Sequence, residues 1–302
     1  MKALQLTTTF AAALALCATL PGCGGGSTST PTITAKPKKT SGGSGGAVAA
    51  NGKKTGGNGK VTNGGTGSFK GKIIHDGAPP TAGQPSGFNL KDKFCASIQN
   101  MIKEESVIVD PATKGLKNAV VFLIRKPAGY RVTVPKDAVK FNNKNCQFEP
   151  RMLPVVVGQT VAVTSEDDTS HNTHTLPLNP ATREFNESIL KGQTKTFVYG
   201  GAEKLPVRVK CDIHGWMAAY HLPLDHDFFA VTNEKGEFEI KGLPAGTHNF
   251  RLWHEKAGYL EREISIPIKG GEATEKEFKY APSKFASFNG PPLKTVVVSL
   301  SK

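Results

Sequence analysis

Long apolar runs are nearly absent from this 302-residue sequence, which excludes a helical integral membrane protein. A spanning helix needs about 20 apolar residues, and the single sustained run, Phe10 to Leu20, falls well short. Acidic residues are missing altogether from positions 1–67, which carry seven lysines. That stretch supplies +7 of the formal net charge of +13 and leaves +6 for the rest, where 31 basic residues face 25 acidic ones. A basic tail invites a nucleic-acid reading, but the remainder has no arginine-rich helical pattern and no RNA-binding aromatic signature. No nucleic-acid partner is expected, and the lysines read as a solvated, self-repelling segment drawn to anionic surfaces. Helical periodicity is scarce too, whereas turn residues recur between short apolar runs. The expected class is all-β.

Met1-Lys2 followed by the apolar run has the pattern of a secretory signal over residues 1–23. It closes on Leu20-Pro21-Gly22-Cys23, which resembles a bacterial lipobox. The resemblance implies that Cys23 carries lipid and anchors the chain to a membrane; a plain signal peptide is the alternative. Cys17 fits less well, because Leu16 precedes it where a small residue is wanted. Residues 24–67 are mostly Gly, Ser, Thr, Asn, Ala and Lys with almost nothing to bury, so a disordered tether is expected. As flexible coil it would reach roughly 33–40 Å. The expected location is the cell envelope, periplasmic or outer membrane, of a Gram-negative-type bacterium.

The chemistry concentrates in Leu205 to Met217. Leu205, Val207, Val209 and Cys211 share one parity and Arg208 and Lys210 the other, so a half-buried strand should end near Cys211. His214 and Met217 follow on one short loop, giving Cys-x-x-His-x-x-Met. A thiolate, an imidazole and a thioether converging there suit a soft, redox-active metal. One more histidine completes a trigonal cysteine–bis-histidine site with a weak axial methionine, the blue-copper arrangement. His171, in Ser170-His171-Asn172-Thr173-His174, is the candidate. Of the five cysteines, Cys17 leaves with the signal, Cys23 carries lipid and Cys211 is the proposed ligand. Cys95 and Cys146 remain. In an oxidising compartment a disulfide between them is the natural reading, with separate thiols the alternative.

Elsewhere the chain offers a strand at Ser68–Asp76, an irregular stretch over 81–105, and an apolar strand at Asn118–Ile124 covered on both faces. A strand-like Tyr130–Val134 follows. Hairpin strands at 152–157 and 160–164 lead to the loop before His171. Asn179–Gln193 reads as a polar connection before a strand at Thr194–Tyr199, and Ala218–Leu224 continues beyond the metal loop. A clear hairpin joins Phe228–Thr232 to Glu237–Lys241.

His171-Asn172-Thr173-His174, followed about forty residues on by Cys211-Asp212-Ile213-His214-Gly215-Trp216-Met217, resembles a cupredoxin of the short-loop amicyanin type. Phe148-x-Pro150 and Val157-Gly158-Gln159-x-Val161 match the lead-in strands. The likeness implies a Greek-key β-sandwich over residues 107–226 holding one type 1 copper. His171, Cys211 and His214 would be equatorial ligands and Met217 the axial one, with Asn172 steadying the two ligand loops. His174 is not a ligand in that pattern, and its plainer role is packing near the site. Many relatives carry Asn about six residues before the first histidine; here Ser165 stands there. In the family the histidine of the cysteine loop lies near the surface and passes electrons, which here would be His214.

Thr232, Gly236, Phe238, Ile240, Gly242, Leu243, Pro244 and Gly246 resemble the hallmark run of a carboxypeptidase regulatory-like domain, a small transthyretin-like β-sandwich without enzymatic activity. It would occupy residues 227–302. The N-terminal strand region, 68–106, is the candidate for its first half, with Asn118–Ile124 a further candidate, so the cupredoxin would be inserted into this module or share a strand with it. Trp253-His254-Glu255 reads as an alternating strand more readily than as a binding feature.

The resulting expectation is a non-enzymatic, tethered copper protein exchanging single electrons with transient protein partners. Structural zinc would want more cysteine or histidine and no thioether. A Cys211–His214 nucleophile would leave His171 and Met217 unexplained. A core cysteine and core methionine meeting by chance are the plainest alternative. Copper storage or sensing, or surface binding without electron carriage, is the other functional reading.

Overall fold

Strand alternation decides most of what forms. In Thr160–Ser165, for example, Val161, Val163 and Ser165 are buried while their neighbours are half-exposed. The computed structural model describes residues 64–81 and 83–286. Cys23, the signal segment, the tether up to residue 63 and residues 287–302 lie outside the described residues.

The strands in chain order are β1 (Thr66–His75), β2 (Val120–Leu123), β3 (Val139–Lys144), β4 (Gln147–Glu149), β5 (Met152–Val156), β6 (Thr160–Ser165), β7 (His171–Leu176) and β8 (Asn186–Ile189). Then come β9 (Thr194–Val198), β10 (Val207–Lys210), β11 (Ala218–Leu224), β12 (Phe229–Val231), β13 (Glu237–Pro244), β14 (Gly246–His254), β15 (Gly258–Ile268) and β16 (Ala273–Tyr280). One α-helix, α1 (Lys93–Ser97), is present among the described residues. The all-β class expected from the sequence is the class observed. No helix among the described residues is long and apolar enough to cross a membrane.

Four sheets make two sandwiches. In the first, a five-stranded sheet ordered β5-β11-β10-β7-β8 faces a four-stranded sheet ordered β4-β3-β6-β9, and between them lie Phe141, Phe148, Val161, Val163, Val209 and Ala219. In the second, β13-β1-β16 faces β12-β2-β14-β15 over Phe69, Ile73, Leu116, Phe238 and Phe250. The Asn233–Gly236 turn feeding β13 requires glycine at 236: φ is +77°, and a Cβ there would lie 2.4 Å from the Ile73 carbonyl oxygen.

The division of the chain between the sandwiches departs from the expected boundaries in three places. β1 begins at Thr66, so the tether expected over 24–67 gives way to strand before its end. Residues 107–124 were assigned with the metal-site segment 107–226, yet β2 pairs with β12 and β14 in the second sandwich. Phe88, Cys95 and Ile102, placed in the N-terminal strand region 68–106, pack instead into the first core. The chain therefore crosses between the sandwiches more than once. The reason lies in β2, whose four residues are all buried. Val121 and Leu123 enter the second core, while Val120 and Phe122 meet Met152, Leu222, Leu224 and Trp253 at the joint between sandwiches. Two-sided burial of this kind is worth on the order of 1.5–3 kcal/mol per side chain. Two smaller differences are local. Tyr130–Val134 forms no strand, and β8 is an edge strand whose mostly exposed residues give no alternation to read.

The joint is also polar. Arg151 donates twice to Glu255 of the β14–β15 turn, Nε to Oε1 at 2.5 Å and Nη2 to Oε2 at 2.9 Å, and lies 3.7 Å from Glu105. Both partners are nearly buried, so removing either alone would strand a charge.

Two core histidines weaken the fold in acid. Burial alone pushes His221 down to about 3; burial, then the positive charges around it, brings His254 down to about 3 as well. Each is neutral when folded, and below about 6.5 the unfolded chain takes up a proton that the folded chain refuses. Their stabilisation is complete above that pH and is lost as the pH falls toward about 3. Unfolding free energy from denaturant titrations should drop by at least about 1.4 kcal/mol per pH unit between pH 6 and 4.5. A flat profile would contradict the neutral burial of these rings.

Candidate metal centre

β10 ends at Lys210 and β11 begins at Ala218, and the seven-residue loop between them closes on itself. The Cys211 amide donates to the Met217 carbonyl at 3.3 Å, the Met217 amide to the His214 carbonyl at 2.9 Å, and the His214 amide to Cys211 Sγ at 3.3 Å. β7 runs antiparallel beside β10, so His171 at its start lies next to this loop. The result is a buried cluster. His171 Nδ1 and His214 Nδ1 are 3.0 Å apart, and Cys211 Sγ is 3.8 Å from His214 Nδ1. All three donor atoms fall within 4.8 Å of one another.

That spacing lets one ion reach all three donors at metal–nitrogen and metal–sulfur lengths of about 2.0–2.3 Å. Cys211 is the free thiol among the described residues. Two neighbouring groups, Asp92–Cys95–His214 and Cys146–Asp167–His171, also gather donor types. Their sulfurs are joined in the Cys95–Cys146 disulfide, so neither offers a thiolate. Met217 is buried at the end of the loop. The thiolate, imidazole and thioether residues of this loop, with the His171 imidazole from β7, make a soft donor set that fits copper better than zinc.

Asn172 sits where it can tie the two ligand elements. Its Oδ1 accepts the Asp212 amide at 2.6 Å and the Cys211 thiol at 3.3 Å. Its Nδ2 donates to Asn186 Oδ1 at 2.8 Å and Asp212 Oδ2 at 2.9 Å. His174 has a carboxylate on each ring nitrogen, Asp212 at 2.7 Å and Glu184 at 2.5 Å, and belongs to none of the donor groups. Ser165 Oγ accepts the Asp167 amide at 3.3 Å.

Sequence reasoning passed over Asp167. Its Oδ2 accepts from His171 Nε2 at 2.8 Å, which leaves the Nδ1 lone pair facing Cys211 and His214. Asp167 in turn accepts the amides of Asn145 at 2.6 Å and Cys146 at 2.7 Å. Both of those residues are left-handed, with φ of +53° and +54°, which turns successive amides toward one anion. Burial opposes the Asp167 charge, but the bonds from His171, Cys146 and Asn145 hold its carboxyl below the usual range. Three acids run together at 166–168, and only the folded loop reveals which one points inward. The Asp-x-x-x-His spacing was the available signal.

His214 is a correction. The family likeness implied a ring near the surface, but its exposure is 2%. Residues of the 83–106 stretch cover it: Phe88 packs edge-on against Trp216 at 4.9 Å, and Trp216 lies 5.0 Å from His214. The Trp216 indole donates to the Cys146 carbonyl at 3.0 Å, so the cover is fastened beside its own disulfide.

No family model matches the sequence, and no curated protein matches it. Solved structures do. A purple cupredoxin from Nitrosopumilus maritimus is 18% identical over 28% of this chain and 99% of its own, with a TM-score of 0.25. A single-residue variant of amicyanin in its oxidised state is 20% identical over 30% of this chain and 86% of its own, with a TM-score of 0.27. A copper-containing nitrite reductase from Thermus scotoductus is 18% identical over 34% of this chain, with a TM-score of 0.26; this chain spans a quarter of its length. Function is argued from the side chains.

The cluster titrates as a unit. Burial raises the Cys211 thiol, but hydrogen bonds from His171 and His214 overcome it and bring the thiol down to about 6. Burial lowers His171, but Asp167 and then Cys211 carry it up to about 8. A bound metal requires thiolate and neutral imidazole. Affinity should therefore fall at least about tenfold per pH unit from about 8 to about 6, and more steeply below, as a second proton competes. Chelator competition across that range would measure it, and a pH-independent affinity would exclude these ligands. In the same assay, Asp167→Asn should weaken binding about 10- to 100-fold.

Proposed function

We propose that the chain is a type 1 (blue) copper protein that carries single electrons at the cell envelope and is not an enzyme. One observation carries this reading: a buried free thiol and two imidazole Nδ1 atoms converge on a loop that ends in methionine. Cys211, His171 and His214 would hold the ion, with Met217 as a further, weaker donor. Bound copper supplies one-electron cycling between Cu(I) and Cu(II). The residues leave no open position for a substrate, which favours carriage over catalysis. Asn172 and Asp167 hold the donors in place through a redox change, and Phe88 and Trp216 exclude water.

The reading extends to the rest of the chain. Cys23 would bear the lipid that anchors the protein to a membrane, the basic tether would let it range, and partners would be transient redox proteins with small contact areas. The second sandwich would serve as a non-catalytic spacing or docking module of the carboxypeptidase regulatory-like kind. The burial of His214 favours one competing reading, copper storage or sensing, because a covered ligand edge slows exchange with partners.

Adding Cu(II) to the protein should give an intense blue thiolate-to-copper band that Cys211→Ala abolishes. Rapid, reversible voltammetry would support the carrier. Slow cycling with ready transfer of copper to a chelator would support storage. Absence of the band and loss of copper on dialysis would remove both.

A further inference from the structure

His214 Nε2 is buried and has no hydrogen-bond partner. Leaving a buried polar atom in that state is unfavourable. The carboxylate of Asp92 lies beside it, with Oδ2 at 3.7 Å. Asp92 caps α1: its Oδ1 accepts the Cys95 amide at 2.8 Å, and its Oδ2 accepts the Thr169 hydroxyl at 2.7 Å. A carboxylate accepts about four donors, so Asp92 retains capacity for another. A movement of about 0.8 Å would bring the His214 contact to an ordinary bond length.

The chemistry of the site places the proton. An imidazole that gives its Nδ1 lone pair to a metal must carry hydrogen on Nε2. For His171 the acceptor of that hydrogen is Asp167. His214 has the same requirement, and Asp92 is the carboxylate paired with its Nε2.

We propose that Asp92 is the positioning residue for His214, accepting its Nε2 hydrogen and aiming Nδ1 into the metal centre. The two histidines are then held alike, one carboxylate from the loop before β7 and one from the covering segment. Thr169, two residues before His171, joins the two supports through Asp92. The pair of anions behind neutral imidazoles would favour Cu(II) over Cu(I). The inference rests on the metal-site reading.

The test uses Asp92→Asn and Asp92→Ser, both of which keep a good helix-capping oxygen while removing the charge. Thr169→Val serves as a control that breaks a bond to the same carboxylate and leaves its charge. In both Asp92 variants Cu(II) affinity should fall about tenfold or more. With Cu(I) affinity unchanged, that corresponds to a rise in potential of about 59 mV per tenfold. In the Cu(I) form, the His214 Nε2 proton should move upfield by NMR in the Asp92 variants. A merely structural role would instead lower the melting temperature in all three variants and leave the potential and the proton unmoved. Copper affinity and potential unchanged within twofold in both Asp92 variants would overturn the assignment and leave the copper reading intact. A wild-type protein that binds no copper would overturn both.

Discussion

The bond between Asp167 and His171 is the constraint on which the candidate metal centre depends. It decides which nitrogen of His171 is free, and it does so from a carboxylate that is itself held by two left-handed amides. One of those amides belongs to Cys146, whose sulfur is bonded to Cys95 and whose carbonyl receives the Trp216 indole. Ligand orientation, disulfide and cover are therefore one connected structure. Left-handed backbone at Asn145 and Cys146 is unfavourable by on the order of 1–2 kcal/mol per residue. The charge-assisted bonds to Asp167 are of comparable size and offset it.

The same economy appears at the joint between the sandwiches. β2 serves two cores with four residues, and Arg151 reaches across to Glu255 where the apolar contact ends. Ion pairing there specifies one docking geometry rather than adding much stability, since desolvation consumes most of the attraction. The metal centre thus stands on a sandwich whose neighbour shares a buried seam with it.

How much of this was legible beforehand follows from where the information sits. Cys211, His214 and Met217 lie on one loop, so spacing brought them into view with His171 as the candidate fourth ligand, while Asn172 came only from the resemblance to a cupredoxin. Alternation marked β6, β10 and β13 because each has one wet and one dry face. Asp92 gave no such signal and Asp167 only its spacing to His171, since both are polar residues in polar stretches that reach the site only through tertiary packing. The cover over His214 was illegible for a related reason: residues 81–105 lack periodicity, and although Cys95 could be paired with Cys146 in advance, Phe88 acquires meaning only once it meets Trp216. β2 was readable as a strand, but the sequence left it between the two sandwiches, since a fully apolar run does not say which partner covers which face.

β1 lies in the middle of its sheet, with Lys72 opposite Glu237 on one side and His75 opposite Tyr280 on the other. Both neighbours are made long after it, at the far end of the chain. A ribosome or export channel releasing the protein from its N-terminus would deliver β1 with nothing to pair with, while every strand of the metal-bearing sandwich emerges before β13. The order of emergence therefore favours assembly of the first sandwich before the second closes. It also makes Cys95 and Cys146 available before Cys211 arrives, so the earlier pair can join while the last thiol remains unclaimed.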